Sequence, residues 1–176
     1  QRRADRSTAA RAASGALLPA ASMSHLADAD LAIEAVPERF ELKRAVFDDL
    51  DRQLAPAAVL ASNTSCLDID ALARASARPQ RVVGLHFFNP PPLIPLIEVV
   101  PAATTDQEVV DAVCAFAESL GKTPITVPNR PGFIVNRLLV PYLLDAIRAT
   151  IDHPATVREL MRRLQLPREQ RVTLRR

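Results

Sequence analysis

Short runs of β-branched and aliphatic residues alternate along this chain with segments whose apolar positions recur at helical spacing. That alternation narrows the fold more than any other feature. Leu31-Ala-Ile-Glu-Ala35, Val59-Leu-Ala-Ser62 and Arg81-Val-Val-Gly-Leu-His86 have the length and composition of strands. Between the first two, Pro37 opens an amphipathic helix with Phe40, Val46, Phe47, Leu50 and Leu54 on one side, and Pro56 stops it. Before the third, Ile69, Leu72 and Ala73 mark a short helix. Three strands with intervening helices read as βαβ units of a parallel, doubly wound α/β sheet. Leu96-Ile-Glu-Val-Val100 follows after only a proline-rich loop, too short for a crossover helix, so this strand is predicted to run antiparallel. Thr105 is expected to cap a helix carrying Val109, Val110, Val113, Phe116 and Leu120, which ends at Gly121 in the C′ position. Pro124-Ile-Thr-Val127 reads as a final strand. Pro131 is expected to begin a long helix to about Ala149, with Ile134, Leu138 and Leu139 buried.

The predicted domains are a poorly patterned segment over 1–24, read as a frayed helix, a sheet domain over 25–128, and the start of a helical domain over 129–176. In that last stretch Val157, Leu160, Met161 and Leu164 read as one short amphipathic helix. With 176 residues, 48% of them hydrophobic and 24% charged, the composition is globular. No apolar run approaches the roughly 20 residues of a membrane span, and the N-terminal segment lacks an apolar signal core. Cys66 and Cys114 fit no CxxC pattern, so two reduced thiols in a cytoplasmic protein are expected. The net charge of +2 is unevenly spread: basic ends leave the body between them acidic. A nucleic-acid groove needs a basic face with interleaved aromatics, and the body offers neither, so the ends read as solvated tails.

Polar residues cluster where the strands end. Ligands of open α/β sheets sit outside the carboxyl ends of the strands. Glu34 and Glu38 flank the end of the first strand, Ser62-Asn-Thr-Ser65 follows the second, and His86-Phe-Phe-Asn89 closes the third. Taken singly, the Ser-Asn-Thr-Ser run reads more readily as a turn with local side-chain hydrogen bonds, and His86 as a structural histidine. Glu98 inside an apolar strand is different. A buried carboxylate costs several kcal/mol, of order 2–5, unless paired or protonated. Its expected partner is a histidine on the neighbouring strand. A histidine oriented by a carboxylate is suited to moving a proton near neutral pH.

Ile33-Glu-Ala-Val-Pro-Glu38, Ser62-Asn-Thr-Ser65, Gly84-Leu-His-Phe-Phe-Asn-Pro90, Ile97-Glu-Val99 and Pro131-Gly-Phe-Ile-Val-Asn-Arg137 together resemble the L-3-hydroxyacyl-CoA dehydrogenases, including the 3-hydroxybutyryl-CoA branch. The resemblance runs from about Asp30 to Arg148. It implies the C-terminal part of a Rossmann-like doubly wound sheet, followed by the start of an all-helical domain. It also implies NAD as cofactor, an acyl-CoA substrate in fatty acid β-oxidation or butyrate-type metabolism, and a homodimer for the full-length family. His86 matches the catalytic histidine, which takes the C3 hydroxyl proton while hydride passes to the nicotinamide. Glu98 matches the carboxylate that orients it. Ser65 and Asn136 match residues that hold the substrate hydroxyl and acyl carbonyl. Glu38, Lys43, Ser65 and Asn89 match positions on the dinucleotide. By pattern alone, Lys43 is a solvated helix charge.

The chain also departs from the family. The family opens with a strand and a Gly-x-Gly-x-x-Gly turn, whose glycines let backbone approach the pyrophosphate. Here the four glycines stand at 15, 84, 121 and 132, and no two can build that turn. Asn129-Arg130 replaces the usual residues before Pro131, and the resemblance fades after about Thr150. The chain therefore reads as cut short at both ends relative to the family, with an exposed sheet edge where the first βαβ unit belongs. Two functions remain open: an NAD-dependent dehydrogenase with its chemistry residues intact, or a non-catalytic remnant that binds acyl-CoA or a partner subunit. A related dehydrogenase acting on a hydroxy acid is a weaker match, because such enzymes rely on other proton-transfer residues.

Overall fold

The computed structural model describes residues 20–153 together with 156 and 159. The expectations for the N-terminal segment up to residue 19, and for the helix through Val157, Leu160, Met161 and Leu164, lie outside the described residues.

A 3-10 turn over Met23–Leu26 leads into β1 (Leu31–Glu34), α1 (Phe40–Gln53), β2 (Val59–Ser62) and α2 (Ile69–Ala75). Then come β3 (Val82–Phe87), β4 (Leu96–Pro101), α3 (Gln107–Ser119), β5 (Thr123–Thr126) and α4 (Val135–Asp152). The strands form one sheet in the order β1-β2-β3-β4-β5. β1, β2 and β3 are parallel, β4 runs antiparallel to β3, and β5 is parallel to β4. The turn-back at β4 follows from the short loop after β3. Among the described residues, the outer edge of β1 pairs with nothing, and Ile33 on it is 38% exposed.

Strand periodicity sorts the core into two layers. Leu60, Val82 and Val100 pack with Phe47 and Leu50 of α1 and Ile69 and Leu72 of α2 on one face. Ala61, Val83, Leu85 and Val99 pack with Val109, Val113 and Ala117 of α3 on the other. Phe47, Ile69, Leu72 and Leu85 are all fully buried, each worth about 1.5–3 kcal/mol of apolar transfer. Helices cover both faces, so the sheet is doubly wound. On β3 the two-residue period puts Val82, Gly84 and His86 on the α1/α2 face. Gly84 is required there: a Cβ would meet Ile69 Cδ1 and Val100 Cβ, each at 2.9 Å.

Several local expectations are corrected. α1 begins at Phe40, with Arg39 as N-cap, so Pro37 precedes the helix by a turn. Its C-terminal carbonyls are met by Arg78, which pairs with Asp51 at 2.8 Å and donates to the backbone oxygens of Asp51 and Leu54. Thr105 does not cap α3. Its hydroxyl accepts from the Ala102 amide and donates to the Val82 carbonyl, tying the end of β4 to β3, and Asp106 takes the N-cap position without a side-chain bond. Gly121 does end α3 in a left-handed conformation (φ 71°). Pro131 opens a turn, and α4 starts only at Val135. Ile134, Leu138 and Leu139 are 38%, 70% and 43% exposed, not buried. The physical reason is that α4 leaves the sheet, and no other described element covers its apolar side chains.

Candidate functional site

The carboxyl ends of β1, β2 and β3 carry two polar clusters that meet at Ser65. The first centres on His86, which stands directly opposite Glu98 in the antiparallel β3–β4 register. Strand alternation puts both side chains on the α1/α2 face. His86 Nδ1 lies 2.8 Å from Glu98 Oε2, and the two side chains are 5% and 0% exposed. The other carboxylate oxygen, Oε1, accepts the backbone amides of Ile134 at 3.0 Å and Val135 at 2.9 Å. Glu98 is therefore buried with three donors, which offset its desolvation. It also caps α4, whose N-cap residue provides no side-chain bond, and negative charge is favourable at a helix N-terminus. The cap of this helix thus comes from a strand and not from the residues before Pro131. Asn129 itself accepts from the Ile69 amide and donates to Asp68.

An ionised carboxylate only accepts hydrogen bonds, so His86 Nδ1 carries the proton it shares with Glu98. Nε2 then presents its lone pair to the Ser65 hydroxyl, 3.1 Å away. The imidazole is flanked by the rings of Phe88 and Phe133, with centroids at 4.5 and 5.6 Å. One nitrogen is fixed and the other faces a hydroxyl at the strand ends. That arrangement suits a group that takes up and returns a proton.

The second cluster lies under the loop after β2. Lys43 of α1 and Glu34 of β1 form an ion pair at 2.8 Å with neither side chain exposed. Glu34 also accepts from the Ser62 hydroxyl at 2.7 Å and from the Val36 amide at 2.5 Å. The Lys43 ammonium donates to the Val36 carbonyl at 3.0 Å and lies 3.4 Å from Glu38 Oε2. Glu38 in turn accepts from the Thr64 hydroxyl and from the amides of Ser65 (2.9 Å) and Cys66 (3.2 Å). Burial would raise the Glu38 carboxyl. The Thr64 hydroxyl, the Ser65 and Cys66 amides and the Lys43 charge outweigh it and hold the group below its ordinary range. Burial and the adjacent Glu38 charge push the exposed Cys66 thiol up, away from the reactive thiolate.

The structure thus brings together His86, Glu98 and Ser65, and joins Glu38 and Lys43 to them through the Ser65 loop. Asn89 is exposed beyond the end of β3, and Asn136 is half-buried in the first turn of α4. Neither side chain is hydrogen-bonded to the others among the described residues. Lys43 is no solvated charge: it is fully enclosed and its donors are taken by Glu34, Val36 and Glu38. Pattern reading overlooks the contributions of Ser62, Thr64 and Phe133. A buried polar residue inside an apolar strand, such as Ser62, was the available signal for the first. Phe133 carried none.

These residues fit one end of a dinucleotide better than the other. An oriented histidine, a serine hydroxyl and an ordered loop stand at the carboxyl ends of the parallel strands, the crevice in which open α/β sheets take their ligands, and they supply proton-transfer groups rather than a phosphate cradle. No glycine turn for the pyrophosphate occurs among the described residues: Gly84 is within β3, Gly121 ends α3 and Gly132 precedes α4. Among the described residues there is no cluster of metal-ligating side chains, and no helix long and apolar enough to cross a membrane.

Residues 1–130 match the family model for the NAD-binding domain of 3-hydroxyacyl-CoA dehydrogenases. The match begins well before Asp30, where recognisable motifs start. The chain is 47% identical over 129 residues to the mitochondrial hydroxyacyl-coenzyme A dehydrogenase of Sus scrofa, covering 73% of this chain and 40% of that protein. It is 46% identical over 148 residues to the 3-hydroxybutyryl-CoA dehydrogenase of Mycobacterium tuberculosis, covering 83% of this chain and 52% of that one. The crystal structure of 3-hydroxybutyryl-CoA dehydrogenase from Escherichia coli K12 superposes with a TM-score of 0.74 at 45% identity, over 77% of this chain and 29% of that one. The chain thus spans about half or less of the length of these relatives. The Rossmann-like sheet, the motifs at its strand ends and these matches agree that the chain belongs to the 3-hydroxyacyl-CoA dehydrogenase family and carries sequence of its NAD-binding domain.

Proposed function

We propose that this chain supplies the proton-transfer half of an NAD-dependent oxidation of L-3-hydroxyacyl-CoA to 3-ketoacyl-CoA. The observation that carries the reading is the two-sided placement of His86, with Nδ1 on Glu98 and Nε2 on the Ser65 hydroxyl at the strand ends. A C3 hydroxyl bound next to Ser65 gives its proton to Nε2 as the C3 hydrogen departs with its electron pair. NAD, when bound, supplies the nicotinamide carbon that receives that hydride. The imidazolium formed on His86 is stabilised by the Glu98 carboxylate against Nδ1, and in the reverse direction it returns the proton to the carbonyl oxygen. Ser65 and Asn136 hold the hydroxyl and acyl carbonyl. Glu38, Ser65 and Asn89 line the dinucleotide side, and Lys43 acts from beneath by holding Glu38. The setting is cytoplasmic acyl-CoA metabolism, and a homodimer is the assembly expected for the full-length family.

A second reading is favoured by one observation, the lack of a glycine turn in these 176 residues. On that reading the polypeptide binds acyl-CoA or a partner subunit without turnover. Orientation of reactants can contribute roughly 7–11 kcal/mol to a rate, so a missing pyrophosphate cradle matters. The test compares NADH-linked reduction of acetoacetyl-CoA by this polypeptide and by a fusion carrying the segments of the pig relative that this chain does not match. The fusion is expected to turn over at an ordinary enzymatic rate, about 1–1000 per second, and the 176-residue polypeptide to show little or none. A correctly folded but inactive fusion would remove the dehydrogenase reading.

A further inference from the structure

Phe133 is a bulky residue in a backbone conformation that normally belongs to glycine. Its φ is +49°, and it follows Gly132 at +74°. An L-residue in the left-handed region crowds its Cβ against its own carbonyl, so the conformation persists only where the surroundings over-determine it. Gly132 has an evident reason: a Cβ there would come within 3.1 Å of the Arg137 amide nitrogen. Phe133 has no such exclusion and could be glycine as far as the backbone is concerned. Its ring must therefore do something that glycine would not.

The ring is 1% exposed and stands edge-on to the His86 imidazole at 5.6 Å, with an interplanar angle of 62°. The backbone has a second consequence. Left-handed Phe133 is followed by right-handed Ile134 (φ −105°, ψ −53°). Such a left-right pair turns successive amides toward one point and makes a small anion-binding concavity. The anion here is Glu98 Oε1, which takes the Ile134 and Val135 amides. One residue thus touches the histidine with its side chain and aims two donors at the histidine's carboxylate with its backbone.

We infer that Phe133 is a positioning residue of the His86–Glu98 pair, its ring flanking the imidazole together with Phe88 while its left-handed turn holds the carboxylate. This rests on reading His86 as the proton-transfer group. Phe133 contacts no reacting atom. It keeps the Nδ1–H···Oε2 bond short and the Nε2 lone pair directed at Ser65, so the neutral imidazole keeps one tautomer.

The chain has only three histidines, so side-chain nitrogen NMR can resolve His86 without cofactor or substrate. The wild-type polypeptide is expected to show a single Nδ1–H tautomer at His86 with a slowly exchanging proton. In Phe133→Gly the turn is retained, so the Ile134 and Val135 amide shifts should change little. The His86 nitrogens should instead move to averaged values of mixed tautomers, and the Nδ1 proton should exchange at least tenfold faster. Phe133→Leu, which keeps apolar volume without the ring, should give an intermediate result and decides the matter if the glycine variant does not fold. Thermal unfolding separates loss of fold from loss of positioning. A single, slowly exchanging Nδ1–H tautomer in the folded variant would overturn the inference. Turnover by the fusion protein, with and without His86, tests the proton-transfer reading separately.

Discussion

Glu98 faces His86 across the β3–β4 ladder with one carboxylate oxygen and receives the start of α4 with the other. A strand carboxylate that would be costly if buried alone is satisfied from both sides, and the histidine gains an orientation in return. The tautomer follows from this charge placement. A neutral amide at position 98 presents a donor as well as an acceptor, so the orientation should be lost while the shape is kept.

Glu98→Gln is therefore expected to leave the fold intact and to lower kcat of the active fusion by about 100-fold or more, the scale of a lost oriented acid–base group. Steady-state kinetics and a thermal melt check it together. A folded variant with kcat within a few-fold of the parent would remove Glu98 from the mechanism.

Lys43 and Glu34 are both without exposed side-chain surface, so removing Lys43 leaves Glu34 a buried carboxylate without its counter-ion, held only by the Ser62 hydroxyl and the Val36 amide. Lys43→Met should destabilise the polypeptide by about 3–5 kcal/mol in urea unfolding. The double variant Glu34→Gln/Lys43→Met should recover most of that loss, because the buried charge is then gone. Equal losses in the single and double variants would show that the pair is not coupled.

Glu38 gives a pH signature. Its carboxyl is held below its ordinary value of 4.5 in the folded chain. The sign follows: this group's stabilising contribution is present above that value and lost as pH falls through the lower folded value. The Ser65 and Cys66 amide resonances should titrate together with a midpoint below 4.5, and Glu38→Gln should abolish the step. A midpoint at or above the ordinary value would mean that the Glu38 clamp on this loop is not formed.

Much of this is legible in the sequence, for physical reasons that differ by residue. The turn-back of β4 is readable because the proline-rich loop cannot hold a crossover helix. A partner for Glu98 is readable because a carboxylate in an apolar strand demands one, and the neighbouring strand offered His86. Lys43 is misread because helical periodicity assigns a charge to the wet side. Its long stem reaches instead to two carboxylates that only the strand ends bring near. Leu138 and Leu139 are misplaced because amphipathicity states that an apolar face needs cover, not what covers it. The Phe133 turn is invisible because a phenylalanine gives no sign of left-handed backbone, and the Glu98 bonds to Ile134 and Val135 use backbone amides that every residue but proline carries.

His86 is where these relationships converge. The direct measurement is kcat and KM for NADH-linked reduction of acetoacetyl-CoA by the active fusion carrying His86→Gln, with folding verified by circular dichroism. If His86 moves the proton, kcat falls by a factor of about 100 to 10,000 while KM for acetoacetyl-CoA changes little. A folded His86→Gln protein with kcat near that of the parent would contradict the assignment.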